Sequence, residues 1–393
     1  MIDRAKLRAW YAHRQGLDGS LEGKSSAEVL ERAGWARSVG GVSPYLTLFS
    51  RAGISREQAD ADAAKLKIYE LPSARGCTYV LPKSDFALGL AAGQAFQGER
   101  KIAAKLGVTE KEIDTLCDSV LSALAKGPLE PDGLREACGK AVRNLGEFGK
   151  KKGLSTTLPV ALEKLQASGD IRRVPTKGRF DQQRYQYAIW QPNPLRVLKL
   201  SPEQVYTELA RKYFRWIGPA SPVDFQWFSG LGVKAAKTAL EPLKLEPIEI
   251  APGDQRFFLP GDRSEFEAFK PPEEPLYSLL GSIDSLFVLR GEFATALEPT
   301  DSKNEILAGS LADLPNHAIV DRGRLIGLWD FDPVTESIAW MSFVKNEKAL
   351  EQAVTRTENF VRDELGDARS FSLDSPKSRV PRIAAIRKAA ANA

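Results

Sequence analysis

Apolar and polar positions along this chain fall into blocks of short amphipathic helices, each closed by a pair of alternating strands. Residues 3–15 set Leu7, Trp10 and Tyr11 among charges at helical spacing and predict a first amphipathic helix. Ser25 or Ser26 can cap a second helix over about Ala27 to Arg32, which Gly34 ends. Gly40-Gly41 mark a turn. Pro44 suits the first turn of a short apolar helix bearing Tyr45, Leu46, Leu48 and Phe49, and Gly53 stops it. Ser55 with Gln58 has the spacing of a capping box for a helix reaching about Lys67. IYELPSARGCTYVLP then predicts two strands around a Pro/Ser/Gly turn. Helices followed by a small hairpin make the winged-helix pattern, and a first such unit is assigned to 1–108.

The same order returns twice. Over 109–195, Thr109 with Glu112 begins a helix whose apolar face is LCDSVLSAL, and GPLEPDGLREAC gives a turn and a short helix. Thr156 or Thr157 then caps PVALEKLQASGD, with Pro159 near its start and Gly169 at its end, before IRRVPTKGRFDQQRYQYAIW reads as strand, basic turn, strand. Over 196–269, Ser201-Pro202 open a helix running toward Arg215, and Ser221-Pro222 open another. Gly230 and Gly232 form a turn into VKAAKTALEPL, which is helix-turn-helix spacing, and IEIAPGDQRFFLP is a hairpin with Gly253-Asp254 at its tip. KPPEEP, 270–275, is a linker.

Over 276–375 the pattern changes. LYSLLG, SLFVLRG, HAIVDRGRLIGLWDFD and SIAWMSF predict short strands, EKALEQAVTRTENFVRDEL an amphipathic helix, and RSFSLD a last strand. The stretch 376–393, with Lys377, Arg379, Arg382, Arg387 and Lys388, is expected to be a partly disordered basic tail. The predicted architecture is α+β: tandem winged-helix units followed by a smaller β-rich C-terminal domain.

Composition narrows the function classes. A hydrophobic share of 43% and a charged share of 27% are ordinary globular values. No apolar run is long enough for a bilayer, and MIDRAKLRAW carries charge where a signal peptide needs an apolar stretch, so a cytoplasmic, non-membrane protein is expected. Cys77, Cys117 and Cys138 have no metal-ligand spacing, and His13 and His317 are the only histidines. A zinc site or a Ser-His-Asp triad is therefore not expected, and neither is a metal of another kind. Gly40-Gly41 lack the strand, the GxGxxG spacing and the acidic partner of a dinucleotide site, so no cofactor is expected. The net charge of +4 decides nothing by itself, because a phosphate feels the local field.

Local basic clusters point to double-stranded DNA. In a helix-turn-helix the second helix enters the major groove, while the preceding turn and the wing touch phosphates. Lys150, Lys151 and Lys152 lie just before the helix that Thr156 or Thr157 would cap, and Arg172, Arg173, Lys177, Arg179 and Arg184 lie in the adjacent wing. In the next unit, Lys234 and Lys237 fall on the second helix, with Arg211, Lys212 and Arg215 on the helix before it. Each cluster alone reads equally as a solvated charged face; recurrence at corresponding places in two units favours DNA. Trp216, Phe225, Trp227 and Phe228 read as core, and Trp35, beside the glycine turn, reads either as core or as a wedge between bases. Several contacts in one chain would let a monomer bind DNA, whereas regulators of this fold usually dimerise on palindromes.

SPYLTLFSRAG, ARGCTYVLPKSDF, IGPASPVDFQWFSGL, LYSLLGSIDSLFVLRG and RLIGLWDFDP occur in an order that resembles the AlkZ/YcaQ family of bacterial winged-helix DNA glycosylases. That resemblance covers nearly the whole chain. It implies tandem winged helices around a DNA-binding concavity, a β-rich C-terminal domain, and repair of alkylated or crosslinked DNA. The family's catalytic motif is a glutamine, one intervening residue, then glutamine or aspartate, shortly before the Pro-Tyr-Leu helix. AGWARSVGGVSPYL has Trp35 and Arg37 at that separation and neither glutamine nor aspartate, and Tyr79 stands near a position where the family often carries histidine.

Chemistry gives this departure its weight. A purine alkylated at N7 is a good leaving group, so the enzyme need only hold a water and stabilise a cationic sugar. An amide oxygen or a carboxylate can accept the water's proton; arginine has donors only, and Arg37 would oppose the developing charge. Glu70, in the first hairpin, and Asp284, in the segment resembling the family's aspartate-containing C-terminal motif, are the substitute catalytic candidates, each with a structural alternative as strand-edge charge or turn cap. The expected function is double-stranded DNA binding linked to repair, without the family's catalysis. An active glycosylase using other residues and a winged-helix transcription regulator are the alternatives.

Overall fold

The computed structural model describes residues 2–391 apart from 183, 291–293, 299, 302–306 and 308–313. Local signals start and stop its first helices. Ser25 accepts from Glu28 N while Glu28 accepts from Ser25 N, a reciprocal box at the head of the Ser26–Ala33 helix. Pro44 lies in the first turn of the Ser43–Ala52 helix, and Gly53 ends it at φ 66°. Ser55 caps the Arg56–Ala64 helix through Gln58 N, but the Gln58 amide donates to Asp62 instead of closing the box. Strands β1 (Ala36–Arg37), β2 (Ile68–Pro72) and β3 (Thr78–Pro82) form an antiparallel sheet in the order β1-β3-β2. β1 is too short to show alternation and is not foreseen from the sequence; nor are the Phe86–Gly93 and Gly98–Lys105 helices that follow the sheet.

In the next stretch the Glu110–Leu124, Pro131–Cys138 and Leu158–Ala167 helices precede the hairpin of β4 (Ile171–Pro175) and β5 (Tyr185–Ile189). The additional Gly146–Lys151 helix lies between the second and third of these. Leu116, Val120, Leu134, Leu162 and Tyr187 belong to a separate core, which also takes in Ala103 of the Gly98–Lys105 helix. Farther on, the Pro202–Ile217, Pro222–Ser229 and Val233–Leu240 helices precede β6 (Glu246–Ala251) and β7 (Asp254–Phe258). Ser201 and Ser221 each open their helix with a reciprocal box. Single bridges, Leu129 to Tyr187 and Ala220 to Phe257, set a short extended segment beside each hairpin at the same point in the order.

The other cores are shared. Trp10 Nε1 donates to Gly218 O at 2.8 Å and the Tyr11 hydroxyl to Pro219 O at 2.7 Å, so the Arg4–Arg14 helix is locked to the end of the Pro202–Ile217 helix. β8 (Tyr277–Leu280), β9 (His317–Asp321), β10 (Arg324–Asp332) and β11 (Ser337–Ser342) form an antiparallel sheet in the order β11-β10-β9-β8. The Lys348–Phe360 helix packs mainly on β8, and the Pro376–Ala391 helix on β10 and β11. The fold class is α+β, with a small antiparallel sheet near the C-terminus.

Three expectations for this last part are corrected. Ser285–Val288 is a short helix, not a strand, because the Asp284 carboxylate accepts from Leu286 N and fixes a helix start; Gly291, the end of that predicted strand, lies outside the described residues. RSFSLD is irregular: Arg369 O accepts from Val42 N at 3.0 Å, and Ser372 N donates to Val39 O at 3.1 Å. The basic tail is a helix over Pro376–Ala391, with Ile383 and Ile386 buried. Its charges have partners: Arg379, 0% exposed, meets Asp367 at 2.6 Å, Arg382 meets Asp374 at 2.9 Å, and Arg387 meets Asp332 at 2.8 Å. Acids on β10 and in the neighbouring turn order what composition alone reads as loose.

Candidate nucleic-acid interface

The short β1 strand decides what each residue around the glycine turn can reach. Ala36, Val80 and Glu70 are register partners across the sheet, as are Arg37, Tyr79 and Leu71. Side chains alternate between faces, so Trp35 and Arg37 share one face with Tyr79, and Ser38 shares the other with Glu70. The wedge expectation for Trp35 is corrected: it is 0% exposed, its Nε1 donates to Asp85 Oδ2 at 2.8 Å, and its ring lies 5.3 Å from that of Trp216. A side chain with this much packing cannot enter a base stack. Arg37 is half-buried, with its guanidinium 5.4 Å over the Tyr79 ring.

Ser38 turns the opposite way and donates its hydroxyl to Glu70 Oε1. Burial pushes the half-buried Glu70 carboxyl above the usual range, while the Ser38 hydroxyl and the Arg173 charge pull it back. Across from Glu70 stand β4 and β5. Arg172 lies 5.6 Å over the Tyr69 ring and Arg173 4.6 Å over the Tyr185 ring, and Tyr185 meets Tyr187 edge-on at 5.6 Å. Burial pushes the Tyr187 hydroxyl up to about 12 against the pull of Arg173. Glu70, Tyr69, Arg172, Arg173 and Tyr185 line a pocket of about 260 Å³, and a second of about 390 Å³ shares Arg173 and Tyr185 and extends to Thr156 and Glu163.

Glu163 accepts from the backbone N–H groups of Glu99 and Arg100, at 3.3 and 3.1 Å, and so holds the start of the Gly98–Lys105 helix. Burial, then the neighbouring Glu99, raise its pKa from 4.5 to about 7. A carboxyl raised on folding gives stability that is full below its unfolded pKa and lost as pH rises through the folded one. The melting temperature is therefore expected to fall from about pH 4.5 to about pH 7, and Glu163→Gln, which keeps the acceptor, should flatten that fall in a thermal melt series.

The remaining basic residues divide into free and committed. Lys151 and Lys152 are exposed at the end of the Gly146–Lys151 helix; Lys150 pairs with Glu147 at 2.7 Å, also at the surface. Thr156 is half-buried, and the predicted capping role of Thr157 is corrected, since its hydroxyl accepts from Arg143 N at 3.0 Å and makes no cap bond. The Leu158–Ala167 helix buries Leu158, Val160, Ala161, Leu162 and Leu165, which leaves little of its start to offer a groove. In the hairpin loop Lys177 and Arg184 are exposed. Arg179 is not a free phosphate contact as expected: it pairs with Asp181 and donates to Leu365 O at 2.9 Å, while Phe180 N donates to the Tyr45 hydroxyl at 2.9 Å. The loop is thus fastened to the Ser43–Ala52 helix and to the C-terminal part. Arg215, Lys234 and Lys237 are exposed, the last two on the Val233–Leu240 helix. Trp227, read as core from the sequence, is 41% exposed.

A family model described as DNA glycosylase AlkZ-like matches residues 41–360. The chain belongs to the AlkZ-like DNA glycosylase family. Among solved structures, the DNA glycosylase AlkZ of Streptomyces sahachiroi shares the fold at a TM-score of 0.69 and 19% identity, over 94% of this chain and 98% of that one. No curated protein matches. The AlkZ-like match begins at Gly41, so Trp35 and Arg37, which stand where the resemblance expects the family's motif, lie before it.

Within this AlkZ-like chain the second acidic candidate is structural. Arg51 donates to Asp284 Oδ1 at 2.7 Å and to Oδ2 at 2.9 Å, and Leu286 N donates to Oδ1 at 2.9 Å. With Asp284 1% exposed, its oxygens are committed inside the protein, which corrects its catalytic assignment. Glu70 is the candidate that reaches a pocket. The signal missed in the sequence is Ser38: only the face alternation of β1 reveals that it meets Glu70. Among the described residues no group of His, Cys, Asp or Glu can hold a metal ion, and no helix is long and apolar enough to cross a membrane.

Proposed function

We propose that this AlkZ-like protein binds double-stranded DNA in the service of DNA repair, using tandem winged helices, and does not excise N7-alkylated bases by the glutamine route. Family membership supports the DNA-repair setting. Helix, helix, helix, hairpin order with a bridged extended segment, seen in two stretches, supports winged helices as the contact modules. The observation that carries the catalytic half is Trp35, a 0%-exposed core residue, with Arg37 lying on Tyr79 beside it. Neither side chain can accept a proton from water.

Exposed Lys151 and Lys152, with Lys150, Lys177, Arg184, Arg215, Lys234 and Lys237, are the phosphate contacts of this reading, and Arg172 and Arg173 line its pockets. Changing Lys150, Lys151 and Lys152 together to Glu is expected to weaken duplex binding by about tenfold or more at moderate salt with an unaltered thermal melt. Unchanged affinity at low salt would remove that helix from the contact surface.

Glu70 supports a second reading, an active glycosylase with a different base. Its carboxyl is held by Ser38, one residue beyond Arg37, and opens on the pocket below Arg173. Incubation with N7-methylated and crosslinked duplexes, followed by detection of abasic sites, separates the two. No release supports the first. Release abolished by Glu70→Gln establishes the second.

A further inference from the structure

The tip of the β2–β3 hairpin and the Pro222–Ser229 helix, drawn from distant parts of the chain, meet at one exposed stack. The Arg75 guanidinium lies 3.6 Å from the centroid of the Trp227 ring, and Arg75 Nη1 donates to Trp227 O at 3.5 Å. Both side chains face solvent; Trp227 is 41% exposed. An arginine flat on a tryptophan adds cation–π attraction but leaves its own outer face open. The backbone holds this pose at some cost. Arg75 sits at φ 57° and ψ 20°, a left-handed conformation unusual for a residue with a Cβ. Close approach is also built in: a Cβ on Gly230, at the end of the Trp227 helix, would fall 3.1 Å from Arg75 Cα and 2.7 Å from the Phe96 ring.

The Trp227 helix and the helix that follows it expose cationic and apolar side chains together. Val223, 71% exposed, shares the Trp227 helix; Val233, 73% exposed, begins the next helix, where Lys234 and Lys237 are also exposed. A core does not need these side chains, since Phe225 and Phe228 of the same helix are already buried. A flat cationic–aromatic stack, with exposed lysines on the helix that follows, matches a nucleobase joined to a phosphate chain. Bases stack on arginine planes and aromatic rings when they are out of their own stack.

We infer that the Arg75–Trp227 stack receives an unpaired DNA base, so that the protein prefers a duplex with an extrahelical base over a fully paired one. This rests on the duplex-binding reading above. The ring face and the guanidinium supply affinity without reading sequence, and Lys234 and Lys237 hold the adjoining phosphates.

The test compares two duplexes of equal length, one fully paired and one carrying a single unpaired thymine, by fluorescence anisotropy. The parent protein should favour the bulged duplex by about tenfold. Trp227→Ala and Arg75→Ala should lose that preference, with paired-duplex affinity of the tryptophan variant within about twofold of the parent. Trp227→Phe, which keeps a ring, should retain most of it. Arg75→Ala gives the same information without altering the helix, should Trp227→Ala fold poorly. Equal parental affinity for the two duplexes, or a preference that survives Arg75→Ala, overturns the inference and leaves duplex binding intact. Failure of the parent to bind either duplex at low salt overturns both.

Discussion

Asp284→Ala is expected to destabilise the protein by about 3–5 kcal/mol, seen as a lower denaturation midpoint with an unchanged slope. Arg51 and Asp284 are 0% and 1% exposed at their side chains, joined by two hydrogen bonds across chain segments far apart in sequence. Removing the carboxylate strands a buried guanidinium. Gln15 O, which accepts from Arg51 Nε at 2.9 Å, offsets only part of its charge. The helix start at Leu286 N would lose its cap as well. Replacing both partners with apolar residues, Arg51→Met with Asp284→Leu, should recover much of the loss, because no charge is then left unpaired. A single-variant loss below about 1 kcal/mol would mean that water reaches the pair.

The second large loss is expected for Trp35→Gln, although it would put a glutamine where the resemblance expects the first residue of the family's motif. Large-to-small changes at buried tryptophan cost about 3–5 kcal/mol, and glutamine fills only part of the space against Trp216, Tyr79 and Phe228. Its amide would have to satisfy Asp85, which accepts from Trp35 Nε1 and from Lys212. Arg37→Gln, by contrast, gives up a half-buried cation–π contact worth about 0.5–1 kcal/mol. The two positions are therefore not equivalent: Trp35 is part of the core, and Arg37 is half-buried and tolerates replacement. Denaturation curves of the two single variants check this, and equal stabilities would contradict it.

Local chemistry was legible in advance, and long-range partnership was not. Ser201, Ser221, Pro44 and Gly53 mark their helix ends from the sequence because a cap bonds within its own turn. The strand at Ala36–Arg37 is invisible to alternation, yet it aims Ser38 at Glu70. Whether Trp35 is core or wedge depends on Trp216 and Asp85, and no local pattern carries those. Arg179 and the cationic C-terminal segment look free in sequence and are tied in three dimensions, to Asp181 and Leu365 in one case and to Asp367, Asp374 and Asp332 in the other. Trp227 errs the opposite way: an aromatic among aromatics reads as core, but its ring is capped by Arg75 from the β2–β3 hairpin and stays at the surface.

The affinity of the purified protein for an undamaged duplex, followed across a salt series, tests the central claim most directly. If several of Lys151, Lys152, Lys177, Arg184, Lys234 and Lys237 displace counterions from one duplex, the logarithm of the association constant should fall linearly with the logarithm of salt, by about 0.9 for each phosphate neutralised. A slope of several units is the predicted result; no measurable binding at low salt, or an affinity indifferent to salt, would contradict it.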